Sequence, residues 1–136
     1  MKKNTKWILG IITVIIIAIA VIWSSFYYVT NYKKTICDTS ASSDGKYELS
    51  LLAVGEPEWP FGSATGQLIL KEGKDTISKT SFELRNDGGM INRYCWKVTW
   101  NDGHVEVIIS GKEQFDEQII LFFDGKKEIQ QLTDKE

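Results

Sequence analysis

Hydrophobic and polar positions change rhythm once along this chain, and the change divides it. Residues 7–29 read WILGIITVIIIAIAVIWSSFYYV, apolar but for Thr13, Ser24 and Ser25, and no charged residue occurs from 7 to 32. A helix of that length spans about 34 Å at about 1.5 Å per residue, which suits a hydrocarbon core roughly 30 Å thick. Ile and Val recur through the run, and in lipid the helix is the structure that satisfies every backbone hydrogen bond within one segment. Trp7 stands at one end, and Trp23, Tyr27, Tyr28 and Tyr32 at the other. Trp and Tyr favour the headgroup level because each is an apolar body with a polar tip. The pattern predicts a transmembrane helix over 7–29, with Trp7, Trp23, Tyr27 and Tyr28 as its interface anchors and the lipid bilayer as a partner.

Beyond the run the period becomes two. Residues 30–45 are polar, contain TSASSDG and read as a stalk that ends in a turn. Residues 46–54 predict a first strand, with Tyr47, Leu49, Leu51 and Ala53 on one face. Further strands are predicted at 66–71 with Leu68 and Leu70 inward, and at 76–84 with Phe82 and Leu84 inward. At 94–100, Tyr94, Trp96, Val98 and Trp100 face inward, and Cys95, Lys97 and Thr99 outward. Asn101-Asp102-Gly103 is a hairpin turn, because these residues tolerate positive φ. The chain then returns over 104–110 with Val105, Val107 and Ile109 inward. Residues 118–123 are apolar on both faces, which predicts a central strand. KEQFDE at 112–117 reads as a solvated turn with Phe115 tucked in.

The fold class this predicts is one N-terminal transmembrane α-helix followed by a small all-β domain, antiparallel, of about six strands, sandwich or barrel-like. The divisions are a cytoplasmic tail at 1–6, the helix at 7–29, the stalk at 30–45, the β domain at 46–125 and a polar, mobile C-terminal tail at 126–136.

Charge bears on orientation. Lys2, Lys3 and Lys6 precede the span, and Lys33 and Lys34 follow it, a bias to a cytoplasmic N-terminus with the domain outside the cytoplasmic membrane. All 18 acids lie beyond the span with 13 of the 16 basic residues, so that part carries a charge of −5. Nothing in that balance suggests a nucleic-acid partner. A cleaved signal peptide is the competing reading, with Ala18-Ile19-Ala20 as the cleavage site, but the apolar run continues through Val21, Ile22 and Trp23. Lipid attachment at Cys37 is disfavoured, because Lys34-Thr35-Ile36 lacks the small residue it needs and Cys37 lies beyond the run.

The chain has two cysteines, Cys37 and Cys95. An outside domain permits a disulfide between them, the alternative being two free thiols. By the strand alternation Cys95 points away from Trp96, so such a bridge would clip the stalk to the outer side of the sheet.

Candidate chemistry is thin. The single histidine, His104, opens a strand beside a turn and reads as an exposed hairpin residue. Four Asp-Gly pairs, at 44–45, 87–88, 102–103 and 124–125, sit singly between strands, so turn chemistry explains them better than calcium binding. Glu56 and Glu58 stand about 6 to 7 Å apart if extended, but a glycosidase pair needs a sugar cleft around it. No nucleophile elbow or phosphate loop occurs, and no metal or cofactor is implied.

The stretch VGEPEWPFGSATG, 54–66, holds both prolines of the chain. It is a long connection between two strands, and Pro57 and Pro60 restrict it. Glu56, Pro57, Glu58, Trp59, Pro60 and Phe61 form a candidate binding loop. A plug over the end of the sheet is the favoured reading of Trp59 and Phe61, and a binding tip the other.

SSDGKYELSLLAVGEPEWPFGSATGQLIL, 42–70, together with FELRNDGG and the stretch 96–100, resembles small membrane-anchored proteins of Gram-positive bacteria with no assigned function. These open a β-rich domain with S-P-D-G-K-Y after one apolar segment. Ser43-Asp44-Gly45-Lys46-Tyr47 fits, with serine in place of the family's proline. The resemblance implies location and fold and brings no catalytic residues. The function expected is a non-enzymatic binding or interaction module at the cell envelope, its partner another envelope or membrane protein. The alternatives are an immunity-type protein against a membrane- or envelope-acting toxin and, more remotely, a small envelope enzyme.

Overall fold

The computed structural model describes residues 2–133. It contains one helix, α1 (Lys2–Asn31), and eight strands: β1 (Lys34–Ala41), β2 (Tyr47–Val54), β3 (Ala64–Glu72), β4 (Asp75–Leu84), β5 (Trp96–Asn101), β6 (His104–Ile109), β7 (Glu117–Phe122) and β8 (Lys127–Gln131). The strands form two antiparallel four-stranded sheets, β1-β2-β3-β4 and β5-β6-β7-β8, each a simple meander.

α1 is long and apolar enough to cross a membrane, and no residue of it is buried. Its start lies among the lysines, ahead of residue 7, because lysine is a good helix former. In its last turn two side chains bond back to carbonyls four residues earlier: Thr30 Oγ1 donates to the Phe26 carbonyl at 2.7 Å and Asn31 Nδ2 to that of Tyr27 at 3.0 Å.

The inner face of the first sheet carries Leu49, Leu51, Leu68, Leu70 and Leu84. That of the second carries Val105, Val107, Ile109, Ile119 and Leu121, and all ten are fully buried in one shared core. The period-two alternation correctly assigned the inward residues of β2, β3, β4 and β6, since register fixes which face each side chain takes. β7 lies between β6 and β8, so its apolar pattern on both faces belongs to an interior strand.

Two stretches differ from the sequence reading, which gave six strands. Half of the expected stalk is β1, an edge strand paired with β2. Its alternation is hidden by a bulge: Ile36 pairs with Leu52 but Asp38 with Leu51, leaving Cys37 as the extra residue. An extra residue reverses the side-chain parity beyond it, so Asp38 and Ser40 share the inner face with Leu51 and Leu49. Likewise, part of the expected C-terminal tail is β8, another edge strand, exposed at every residue. Exposed, polar edge strands protect a sheet from pairing with other chains, and their sequences read as coil. The tail beyond residue 133 lies outside the described residues.

The register separates two ends of the sandwich. At the helix-proximal end are Lys34 opposite Val54, Ala64 opposite Leu84, and the connection 85–95 that crosses between the sheets. The 110–116 connection joins it there, where the Glu113 N–H donates to the Arg85 carbonyl at 3.1 Å. At the distal end are the turns after β1, β3, β5 and β7, including Asp44-Gly45, Asp102-Gly103 and Asp124-Gly125.

Candidate functional site

The candidate loop begins where β2 ends, and β2 ends against α1. The Gly55 N–H donates to the Lys33 carbonyl at 2.8 Å, and the Glu56 N–H to the Thr30 carbonyl at 2.7 Å. The loop therefore completes the hydrogen bonding of the helix terminus from outside the helix. Glycine is required at 55: its φ is +67°, and a Cβ there would lie 2.8 Å from Asn31 Cα. The loop then closes on itself. The Glu58 N–H donates to the Ser63 carbonyl at 3.1 Å and the Gly62 N–H to the Glu58 carbonyl at 2.7 Å, leaving Trp59, Pro60 and Phe61 at the tip. The Trp59–Pro60 peptide is cis.

At this tip the favoured sequence reading is corrected. Trp59 is 92% exposed and Phe61 70%, so neither ring plugs the core. The end of the core is filled instead by Ala64, Leu84, Ile91 and Cys95. Gly88 seats directly on the tip, where a Cβ would come within 3.1 Å of Phe61 Cα and 3.2 Å of the Pro60 carbonyl oxygen. The 85–95 connection thus continues the same rim and adds exposed Met90 and Tyr94 to it. Tyr94 was expected inward. It is exposed because Arg93–Cys95 is a 3-10 turn capped by Asn92, and the alternating strand begins only at Trp96. Phe115, expected to tuck in, is also exposed at this end, in a connection held by polar bonds to Arg85 and Asn86.

Of the expected interface residues, Trp7 lies one helical stretch away from Trp23, Tyr27 and Tyr28, and all four are exposed. Their separation along the axis is about 24 to 32 Å at about 1.5 Å per residue. Tyr27 packs edge-on against Tyr32, and Trp23 against Phe26.

The expected disulfide is not present: Cys37 and Cys95 are free thiols, and the structure does not bring them together. Nor does Cys95 sit on an outer face. It is 4% exposed within the core, since the 3-10 turn takes it out of the strand alternation. Cys37 is the bulged residue of β1, partly buried, and burial pushes its thiol pKa up.

Glu56 and Glu58 lie at the helix-proximal end. His104 lies at the other, pairing with Asn101 and packing its ring 5.5 Å from that of Phe122. These three candidates do not converge. Among the described residues no group of His, Cys, Asp and Glu is arranged to hold a metal ion.

The distal end carries a feature that the sequence reading passed over. An open cleft of about 600 Å³ lies between the β1–β2 and β5–β6 turns, lined by Ser42, Asp44, Lys46, Tyr47, Trp100 and Phe123, among others. Tyr47 and Phe123 stack with ring centroids 3.8 Å apart. Asp44 is fixed on the rim, accepting from Ser42 Oγ at 2.6 Å and from the Lys46 N–H at 3.0 Å. The Ser42 hydroxyl, followed by that amide, holds its carboxyl below the ordinary carboxylate range. The signal in the sequence was Asp44-Gly45-Lys46-Tyr47, but its partners Trp100 and Phe123 come from the other sheet.

No protein family, no curated protein and no solved structure matches this chain.

Proposed function

We propose that this chain is a single-pass protein of the cytoplasmic membrane, with its N-terminus inside and its β-sandwich outside, acting as a non-enzymatic binding module. One observation carries the reading. An apolar helix with no buried residue runs within three residues into the edge strand of a sandwich that has its own closed core. A helix that is apolar all round has no stable place in water.

The same join gives the domain a near end and a far end. The cleft between the β1–β2 and β5–β6 turns is at the far end, clear of the bilayer. Its aromatic base and its rim of hydroxyl, amide and carboxylate groups are the mixture by which concave sites combine contact area with orientation. The partner in this reading is another envelope protein or an envelope component.

Two measurements test it. Protease added to intact cells should remove the β domain while sparing the helix; protection until the membrane is broken would overturn the orientation. A photo-reactive side chain at Asn101, beside the cleft, should capture a species that the same group at Ser81 on the first sheet does not. Identical capture from both positions, or none, would remove the cleft from the reading.

A further inference from the structure

Outside α1, large apolar side chains that remain exposed are concentrated at one end of the sandwich. Trp59, Phe61, Met90, Tyr94 and Phe115 all occupy helix-proximal connections. Turns at the opposite end are built on Asp-Gly pairs and polar residues instead. Exposed aromatics on a closed loop call for a covering surface, and here the fold specifies which surface lies nearby.

The level of the loop follows from two hydrogen bonds. Glu56 N–H is bonded to the carbonyl of Thr30 and Gly55 N–H to that of Lys33, which places the start of the loop beside the last turn of α1. Thr30 is two residues beyond Tyr28, a rise of about 3 Å. Trp59 is three residues beyond Glu56, at most about 10 Å of chain. Between a hydrocarbon core roughly 30 Å thick and a full bilayer of about 40 to 45 Å, the headgroup layer on each side is about 5 to 8 Å deep. The tip is therefore within reach of the layer that Tyr27 and Tyr28 mark. β2 also points its chain toward the helix end as it enters the loop, since Val54 pairs with Lys34 at the start of β1.

We infer that the Trp59-Pro60-Phe61 tip, continued by Met90 and Tyr94, inserts into the headgroup layer of the same leaflet from which α1 emerges, giving the sandwich a second lipid contact. This inference rests on the membrane-anchor reading above. The rings drive the contact, because the charges of this end are of both signs: Glu56 and Glu58 precede the tip, while Lys33 and Lys34 follow α1 and Arg93 adjoins Tyr94. Tryptophan suits that layer, its ring apolar and its indole N–H able to bond to lipid carbonyls or water. With helix and loop both engaged, the sandwich is held at a fixed tilt, and its distal cleft faces away from the membrane.

The test uses the full chain reconstituted in phosphatidylcholine vesicles, with and without lipid brominated near the top of its acyl chains, and with iodide on both sides as the aqueous quencher. Difference emission against Trp59→Phe isolates Trp59. Difference emission against Trp23→Phe isolates a residue of α1. Both residues are exposed, so neither substitution disturbs the core. The expected result is a blue-shifted Trp59 component that loses intensity to brominated lipid and is shielded from iodide. A Trp59 component untouched by brominated lipid, while that of Trp23 is quenched, overturns the inference and leaves the anchor standing; if iodide then reaches Trp59, the rim is free for a protein partner instead. Loss of lipid quenching at Trp23 as well would strike the anchor reading itself, and the inference with it.

Discussion

Trp96 Nε1 donates to Asp38 Oδ2 at 2.9 Å, across the gap between the two sheets. Trp100 Nε1 repeats the contact one step further along, donating to Ser40 Oγ at 2.9 Å. Each indole is half-buried and its N–H finds an acceptor within the protein, and β1 supplies both because its bulge at Cys37 turns Asp38 and Ser40 inward. The edges of the sandwich are thus joined by two directional bonds rather than by apolar packing alone. Removing one partner of a bond to a charged group costs about 1 to 3 kcal/mol. Asp38→Ala should lower stability by about that amount, and Asp38→Asn, which keeps an acceptor oxygen, by less. Denaturant unfolding of the full chain in detergent, followed by tryptophan emission, measures both. Equal loss in the two variants would show that the indole bond does not carry the effect.

Gly55 is the point at which loop and helix touch. Gly55→Ala should lower stability by more than about 1 kcal/mol, since the residue has φ +67° and no room for a Cβ. Asparagine tolerates positive φ but brings a Cβ too, so Gly55→Asn should fail to restore the contact. Hydrogen exchange reads the outcome directly: the amides of residues 55 and 56 lose protection in both variants, while those in β6 keep theirs. Rescue by asparagine would mean that backbone freedom, not clearance from Asn31, is what the site demands.

The thiols offer a chemical check on the corrected disulfide. Without reductant, the denatured chain should titrate with two free thiols, and the folded chain should protect Cys95 until it unfolds. Cys37 is partly buried with its pKa raised by that burial, so less of it is thiolate at a given pH and its labelling should lag behind that of an unperturbed cysteine. Two thiols missing from the denatured titration would establish a bridge.

Glu117 opens β7 at the helix-proximal end, beside Glu83, Arg85, Gln114 and Gln131. Burial raises its pKa above the ordinary glutamate value. The folded state then holds the proton more tightly than the unfolded state. The stability this contributes is fully present below the unfolded pKa, about 4.3, and is lost as pH rises through the folded value. Glu117→Gln removes the titration, so the variant should be more stable than the native chain near neutral pH, with the advantage shrinking as pH falls toward the unfolded pKa. Melting temperature against pH, measured on both chains, checks it. Parallel curves would exclude Glu117 as the cause.

Several features of this fold were legible residue by residue. Leu49, Leu51, Leu68, Leu70, Val105 and Val107 recur at every second position of their strands, and that period places them inside even though Leu52, Ile69 and Ile108 on the other face are apolar too. The apolar run at 7–29 needs no context either, because its length and composition are local properties. What stayed hidden were the edges. β1 reads as a stalk because one bulged residue breaks its alternation and two of its inward positions are polar. Their use as acceptors appears only when Trp96 and Trp100 are placed opposite them by the packing of the second sheet. β8 reads as a tail because an edge strand needs no inward apolar face to be held by backbone bonds.

The candidate loop divides in the same way. By itself the sequence determined that 54–66 is a proline-restricted connection between strands bearing two aromatic rings, since proline geometry and strand period act over a few residues. Only the tertiary structure decided that the rings face outward, that their neighbours are Met90 and Tyr94, and that the loop closes against the end of α1. Those facts depend on Gly55 meeting Thr30 and Asn31, and on Gly88 meeting Phe61, contacts between segments distant in the chain. No local pattern encodes them, because each is set by which connections the first sheet brings together at its helix-proximal end.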